Sequence, residues 1–393
     1  MKEFPDPPVS VDSIAPEALK ARIDDGERVT ILDTRPEEMF EEWAIDGETV
    51  EQLNIPHTSF HPEFDESVLD QLPTDRQITT VCAVGESSAY IAGLLAERGY
   101  EVDHLEDGMN GWARIYERTR IERYNGAGEV YQYHRPSSGC LGYLVVDGDE
   151  AAVVDPLRAF TDRYLEDADA MGINLRYAID THIHADHISG VRALTASGVD
   201  GVLPARAAAR GVTDPETFTL IEDGDELVLG DVTIEAVFTP GHTSGMTSYL
   251  VDEALLLTGD GLFVESVARP DLEDGDDGAP DAARTLYESL QTRILTLPEE
   301  TLIGAAHHSG AVAPAEDGTY TASIGTIRER MPALSMEKAA FVEFVLADMP
   351  PRPANFEDII ATNLGTRETD DEEAFELELG PNNCAATADA TAD

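Results

Sequence analysis

Two consecutive α/β patterns are written into this chain: a parallel sheet with helices on both faces, then two packed sheets with helices outside. Three observations predict this. Residues 29–120 alternate short apolar strands with segments of helical spacing, the pattern of a parallel sheet covered on both sides. From Tyr124 onward hairpins mix with helices instead. Within that second part, four strand-like segments each run into a histidine or an aspartate, so their ends would meet along one sheet edge.

In order, VTILDT (29–34) is an apolar strand, and Pro36 opens a helix through PEEMFEEW, since proline is tolerated in a first turn. QITTVCAV (77–84) is the next strand and carries Cys82. SSAYIAGLLAERG (87–99) is a helix that stops at Gly99, YEVDHL (100–105) a strand, and NGWARIYER (110–118) a helix. In the second part LGYLVV and AAVVD flank the turn DGDE as a hairpin. AFTDRYLEDADAMG (159–172) is a helix, and YAIDTH (177–182) is a strand leading into THIHADHISG. DELVL, VTIEAVFTP, TSYLVD and ALLLTGD are short strands; the helix AARTLYESLQTRIL and the strand TLIGAAH follow. After Gly365 the chain turns acidic and ends in ATADATAD, the composition of a disordered tail.

The 393 residues carry a formal net charge of −52, and the lysines are Lys2, Lys20 and Lys338 alone. With 42% apolar residues the chain can fill real cores, so the acidity belongs to the surface, as in proteins from salt-rich cytoplasm. Such a surface repels nucleic acid and anionic membrane, which argues against both as partners. The opening MKEFPDPPVS lacks the basic start and apolar run of an export signal, and no stretch reads as a membrane span. Cys82, Cys140 and Cys384 are dispersed and odd in number, which argues for a reducing, cytoplasmic location. Cys140 reads as a small buried core residue. The sequence does not decide between a monomer and a homo-oligomer.

His182, His184, Asp186 and His187 fall within six residues, on a loop between a strand and the helical start ISGVRAL. Imidazoles and a carboxylate packed this tightly are costly to bury unless a cation shares the site, so a metal is expected. His242 in TPGHTSG, Asp260 in LLLTGDG and His307 in LIGAAHHSG each follow a strand in the same way, with His308 as a bystander.

The run from His182 to His187 matches in full the His, any, His, any, Asp, His loop of the metallo-β-lactamase superfamily, and the later residues come in that superfamily's order. The resemblance spans roughly Tyr124 to Ala340 and implies an αββα sandwich with the metal site at its edge. Two branches imply different centres. In glyoxalase II-like thioesterases, His182, His184 and His242 would hold one Zn(II), Asp186, His187 and His307 a second, and Asp260 would bridge them. Metal-bound water, ionising near a pKa of about 7, would then attack a thioester. In the branch similar to persulfide dioxygenases, a single Fe(II) per chain is held by His182, His242 and Asp260, leaving positions for O₂ and a persulfide sulfur. His184, Asp186, His187 and His307 would then support the inner ligands. ARPDL, with Arg269 and Asp271 in the Arg, any, Asp arrangement, resembles the second branch, as does RPANFEDIIATNLG. Arg269 and Asp271 would bind substrate or, equally, form a structural ion pair. Ser309 stands where the dioxygenases carry an aromatic residue.

ILDTR (31–35), NIPHTSF, VCAVGESS and GMNGW follow one another as in a rhodanese domain. That resemblance spans roughly Ser10 to Arg120 and makes Cys82 a sulfur acceptor, at the start of a tight loop before a helix N-terminus. Rhodanese loops commonly carry arginines after the cysteine. Ala83, Glu86, Ser87 and Ser88 supply none, which weakens binding of the thiosulfate dianion.

The expected organisation is a rhodanese-like domain at 1–122, a metallo-β-lactamase-fold domain at 123–340, an extension packing on it at 341–366 and a disordered tail at 367–393. The combined resemblance implies Fe(II)-dependent oxidation of a low-molecular-weight thiol persulfide by O₂ to sulfite and thiol. Sulfane sulfur would move through Cys82, with thiosulfate as a further product. The alternatives are a dinuclear zinc thioester hydrolase and a non-enzymatic sulfur carrier or sensor.

Overall fold

The computed structural model describes residues 4–308, 312–347 and 349–380; Ser309, Cys384 and the closing ATADATAD lie outside the described residues. The chain divides into two compact units. One runs to Ile115 and takes in Arg135–Ser138; the other holds Tyr116–His134 and the described chain from Gly139 on.

The first unit is built on five strands in the order Asp12–Ile14, Val102–Leu105, Ile78–Val81, Val29–Asp33, Val50–Asn54, each neighbouring pair parallel. Val29–Asp33 and Ile78–Val81 are buried at every position, as strands covered on both faces must be. Successive residues supply opposite faces: Ile31 packs with Leu19, Met109 and Trp112, whereas Leu32 packs with Phe60, Ile91 and Leu95.

The second unit stacks two mixed sheets. Seven strands run in the order Thr219–Ile221, Asp200–Pro204, Asn174–Ile179, Glu150–Val154, Cys140–Asp147, Glu129–Arg135, Glu117–Arg120. Six more run Glu226–Leu229, Val232–Phe238, Thr247–Val251, Leu255–Gly259, Leu302–Ala305, Thr321–Ser323. Val145, Val154 and Ile179 of the first sheet meet Ile234, Tyr249 and Leu257 of the second in one core. Their sequence neighbours point outward. Leu144, Val153 and Ala178 lie against Tyr164 and Leu194 of helices Thr161–Met171 and Val191–Ala196. Leu256 lies against Leu286 and Phe341 of helices Gly275–Ser289 and Lys338–Ala347. Helix, sheet, sheet, helix is the αββα sandwich that the resemblance implies.

Two expectations fail. The helix through NGWARIYER stops after Gly108–Trp112, and Glu117–Arg120 is instead a strand antiparallel to Glu129–Arg135. Pairing at a sheet edge satisfies the backbone there and overrides local helical spacing. The acidic segment after 366 is not wholly without structure either, because Asp371–Leu377 forms a helix. The Asp370 carboxylate caps it by accepting from the Glu373 N–H at 2.9 Å. Asp371, Glu372 and Glu373 fill its first turn, where negative charge is favoured. Ala374 and Phe375 are buried, and Arg158 donates to Asp371 at 2.8 Å. Among the described residues, no helix is long and apolar enough to cross a membrane.

The inter-sheet core should dominate the stability of the second unit. Leu257→Ala, at a position 1% exposed, is expected to cost about 2–5 kcal/mol in urea unfolding. Val228→Ala, at a position 50% exposed, should stay within about 0.5 kcal/mol.

Candidate metal centre

Four strand ends converge at one edge of the sandwich. His182, His184, Asp186 and His187 follow Asn174–Ile179, His242 follows Val232–Phe238, Asp260 follows Leu255–Gly259, and His307 follows Leu302–Ala305. All seven are buried. Asp260 is the hub. Its Oδ2 lies 3.5 Å from His242 Nε2 and 3.7 Å from His182 Nε2, and its Oδ1 lies 3.3 Å from His307 Nε2. Gly259 makes this approach possible, because it has φ +50° and a Cβ there would sit 2.3 Å from Met246 Cε and 2.5 Å from Thr181 Oγ1.

The rings of His182, His184, His187 and His242 are each turned by a hydrogen bond on one nitrogen that leaves the other bare. His242 Nδ1 donates to the Arg269 carbonyl at 3.0 Å. Thr181 Oγ1 donates to the Asp155 carboxylate at 3.0 Å and is left to accept from His182 Nδ1 at 2.9 Å. His184 Nε2 donates to Asp155 Oδ1 at 3.1 Å, and His187 Nδ1 to Asp186 Oδ2 at 3.2 Å. The remaining atoms are buried without a hydrogen-bond partner: Nε2 of His182, His187, His242 and His307, Nδ1 of His184, Oδ1 of Asp186 and both oxygens of Asp260. Such a set of buried lone pairs fits metal binding, since buried polar atoms are otherwise satisfied, and His182, His242 and Asp260 bring their ligand atoms within 4.8 Å of one another.

The charges agree. Burial holds His182 well below, and His242 below, the usual imidazole range, which keeps both in the neutral, ligating form. Burial alone would raise Asp260, but His307 first, then His182 and His242, hold it below the usual carboxylate range. His187 differs: burial would lower it, yet the adjoining Asp186 carboxylate keeps it raised, at about 9, so with no cation at hand this ring favours its protonated form.

The metallo-beta-lactamase superfamily model matches residues 137–307, and the rhodanese-like domain model matches 15–115. A hydroxyacylglutathione hydrolase of Methylococcus capsulatus is 31% identical, over 56% of this chain and 78% of that protein. The chain belongs to the metallo-beta-lactamase superfamily. The mitochondrial persulfide dioxygenase ETHE1 of Bos taurus is 29% identical, over 62% of this chain and 92% of its own length. The crystal structure of ETHE1 from Myxococcus xanthus superposes with a TM-score of 0.52 at 27% identity, covering 60% of this chain and 97% of that one.

Sequence reasoning missed the supports of this metallo-beta-lactamase centre. Asp155, at the end of strand Glu150–Val154, also accepts from the Thr181 N–H at 2.8 Å, so it orients two of the imidazoles from beneath. Both the C-terminal extension, through Asn363, and the segment expected to be a tail, through Glu378, hold the loop. Asn363 Nδ2 donates to the carbonyls of His184 and His187 at 3.0 and 2.9 Å, its Oδ1 accepts from the Ser189 N–H at 2.9 Å, and Glu378 Oε2 accepts from the Ile188 N–H at 3.0 Å. Cys140 is buried as expected, but at the centre's margin, its Sγ 3.4 Å from Asp186 Oδ2. The strand-end position of Asp155 in AAVVDP was the available signal; nothing local marks Asn363.

Arg269 and Asp271 form a buried two-point ion pair, at 2.8 and 3.0 Å, and Arg352 adds a bond to Asp271 at 3.0 Å. Arg269 also donates to the Pro351 carbonyl at 2.8 Å while its own carbonyl holds His242, so the pair stands behind a candidate ligand. His308 Nε2 lies 3.0 Å from His134 Nε2, and its ring stacks on Tyr320. In the rhodanese-like domain, Cys82 Sγ accepts from Ser88 Oγ at 3.3 Å, and the Cys82 carbonyl accepts from the Met109 N–H at 2.8 Å. Gly108 is required there, because a Cβ would meet the Cys82 carbonyl oxygen at 2.1 Å.

If Asn363 fixes the loop, Asn363→Ala should weaken metal binding by about 10–100-fold with the fold retained. Competitive titration with a metal chelator, alongside circular dichroism, measures both.

Proposed function

We propose that the chain is a persulfide dioxygenase whose rhodanese-like domain handles sulfane sulfur. One observation carries the reading. His182, His242 and Asp260 bring ligand atoms within 4.8 Å of one another, and none of those atoms is engaged in a hydrogen bond. The two other groups of comparable spacing, Cys140 with Asp186 and His187, and Asp155 with Asp180 and His184, are closed by hydrogen bonds that their members already make. The fused rhodanese-like domain and the dioxygenase relatives support the same choice.

Two imidazoles and one carboxylate suit Fe(II), which when bound supplies O₂ activation with coordination positions left over. The overall change is balanced: one persulfide, one O₂ and one water become one thiol, one bisulfite and one proton. The chain's own residues hold the frame for it. Thr181 and the Arg269 carbonyl keep the His182 and His242 Nε2 lone pairs turned inward, and Phe263, its ring centre 4.3 Å from that of His307, sets the plane of that imidazole. Cys82 would accept sulfane sulfur and pass it to sulfite, giving thiosulfate.

A second reading has its own observation. The bare Nδ1 of His184 can join His182 and His242 at one ion, and the bare Nε2 of His187 and His307 suit a second, as a dinuclear zinc thioester hydrolase needs. Protein purified without oxygen separates the two. One iron per chain with persulfide-dependent O₂ uptake supports the dioxygenase. Two zinc ions, thioester cleavage and no uptake support the hydrolase. His242→Ala should abolish uptake; an unchanged rate would return the chain to a sulfur carrier. Cys82→Ala is expected to keep O₂ uptake but lose thiosulfate formation from persulfide and sulfite, followed by chromatography of the products.

A further inference from the structure

Within the rhodanese-like domain Cys82 opens onto a cavity of about 660 Å³. At about 30 Å³ per water, that is far more room than a small inorganic anion needs, and it lies in the size range of sites for organic molecules. The wall is mostly apolar surface, interrupted by the hydroxyls of Thr34, Thr58 and Ser87. Phe4 lies with its ring 5.7 Å from that of His57 and 5.6 Å from that of His61. Met39 and Val84 line the same cavity and are among the few large apolar side chains left exposed on the described surface.

Its full charges are arranged against anions. The guanidinium of Arg35 is buried against the Asp33 carboxylate, at 2.7 Å and 3.0 Å, and donates to the Trp43 carbonyl at 2.6 Å, so its charge is already matched. Glu86 also lines the cavity, is exposed, and has no ion-pair partner among the described residues. As the first residue of helix Glu86–Glu97 it occupies the positive helix end that would otherwise favour an anionic substrate.

We propose that this cavity takes sulfane sulfur from an organic persulfide with an apolar body that is uncharged or cationic, and not from thiosulfate. The proposal rests on the reading of Cys82 as a sulfur acceptor. The Cys82 thiolate attacks the outer sulfur of the carrier R–S–SH. The carrier's S–S bond breaks as the new one forms on Cys82, and the departing thiolate takes the persulfide proton as a free thiol. No outside oxidant or reductant is consumed.

The test uses the full chain in about 1 M KCl, where the screening length falls to about 3 Å and the overall negative charge no longer discriminates. Persulfides of cysteamine, 2-mercaptoethanol and 3-mercaptopropionate, and thiosulfate, are each offered as donors. The gain of one sulfur on the Cys82 peptide is timed by mass spectrometry, and each rate is divided by that for a free small thiol. The cationic and neutral persulfides should load at least about tenfold faster than thiosulfate on this scale. Glu86→Arg should narrow the gap by raising the thiosulfate rate, and Met39→Glu should slow the neutral donor. Equal or faster loading from thiosulfate, or a ratio untouched by Glu86→Arg, overturns the proposal. Loading from none of the four overturns instead the reading of Cys82 on which it rests.

Discussion

Everything in the second unit is arranged around one cost: imidazoles and carboxylates buried at a sheet edge with atoms that nothing in the chain satisfies. Among the described residues, more than half of the buried side-chain polar atoms without a hydrogen bond belong to this centre. An orphaned polar group costs about 1–3 kcal/mol, more when charged, so together they rival the net stability of a domain. A cation converts that cost into binding energy, which ties metal affinity to folding. The sandwich can carry the cost because its inter-sheet core and the two cores under the outer helices are filled with buried apolar side chains.

The cost also explains why so much of the chain is committed to holding one loop. Asp155 supports two histidines from the sheet side and itself adopts φ +50°, a conformation that L residues other than Asn and Asp rarely take. Asn363 and Glu378 restrain the other side, and the Arg269–Asp271 pair stands behind His242. A buried ion pair of that kind is weak evidence for stability. Its position suggests what it contributes: the backbone of Arg269 fixes a ring, and the side chain fixes the backbone.

How much of this could be read from the sequence follows from range. His182 to His187 is a local pattern, and strand ends carrying His242, Asp260 and His307 are marked by apolar runs, so the centre's inner residues were legible, as were both fold classes. The supports were not, since Asp155 lies 29 positions from His184, and Asn363 lies 179 from the carbonyl it holds. The same limit applies to Glu117–Arg120, which is a strand only because Glu129–Arg135 offers an edge. The helix Asp371–Leu377 was hidden differently: its acids looked like a solvated tail, but an Asp370 cap and a first turn of carboxylates favour a helix start, and Ala374 and Phe375 anchor it.

The two sites follow opposite local rules under one global field. The metal centre gathers carboxylates to receive a cation, whereas the Cys82 cavity matches its one arginine internally and leaves Glu86 unpaired. Both lie in a chain of formal charge −52. At low ionic strength such a field slows the approach of anions and leaves O₂ and neutral carriers unaffected. It also favours the departure of anionic products. For the proposed chemistry, in which an organic persulfide and O₂ enter and bisulfite leaves, acidity is therefore compatible with turnover; an enzyme that had to capture free thiosulfate would work against its own surface.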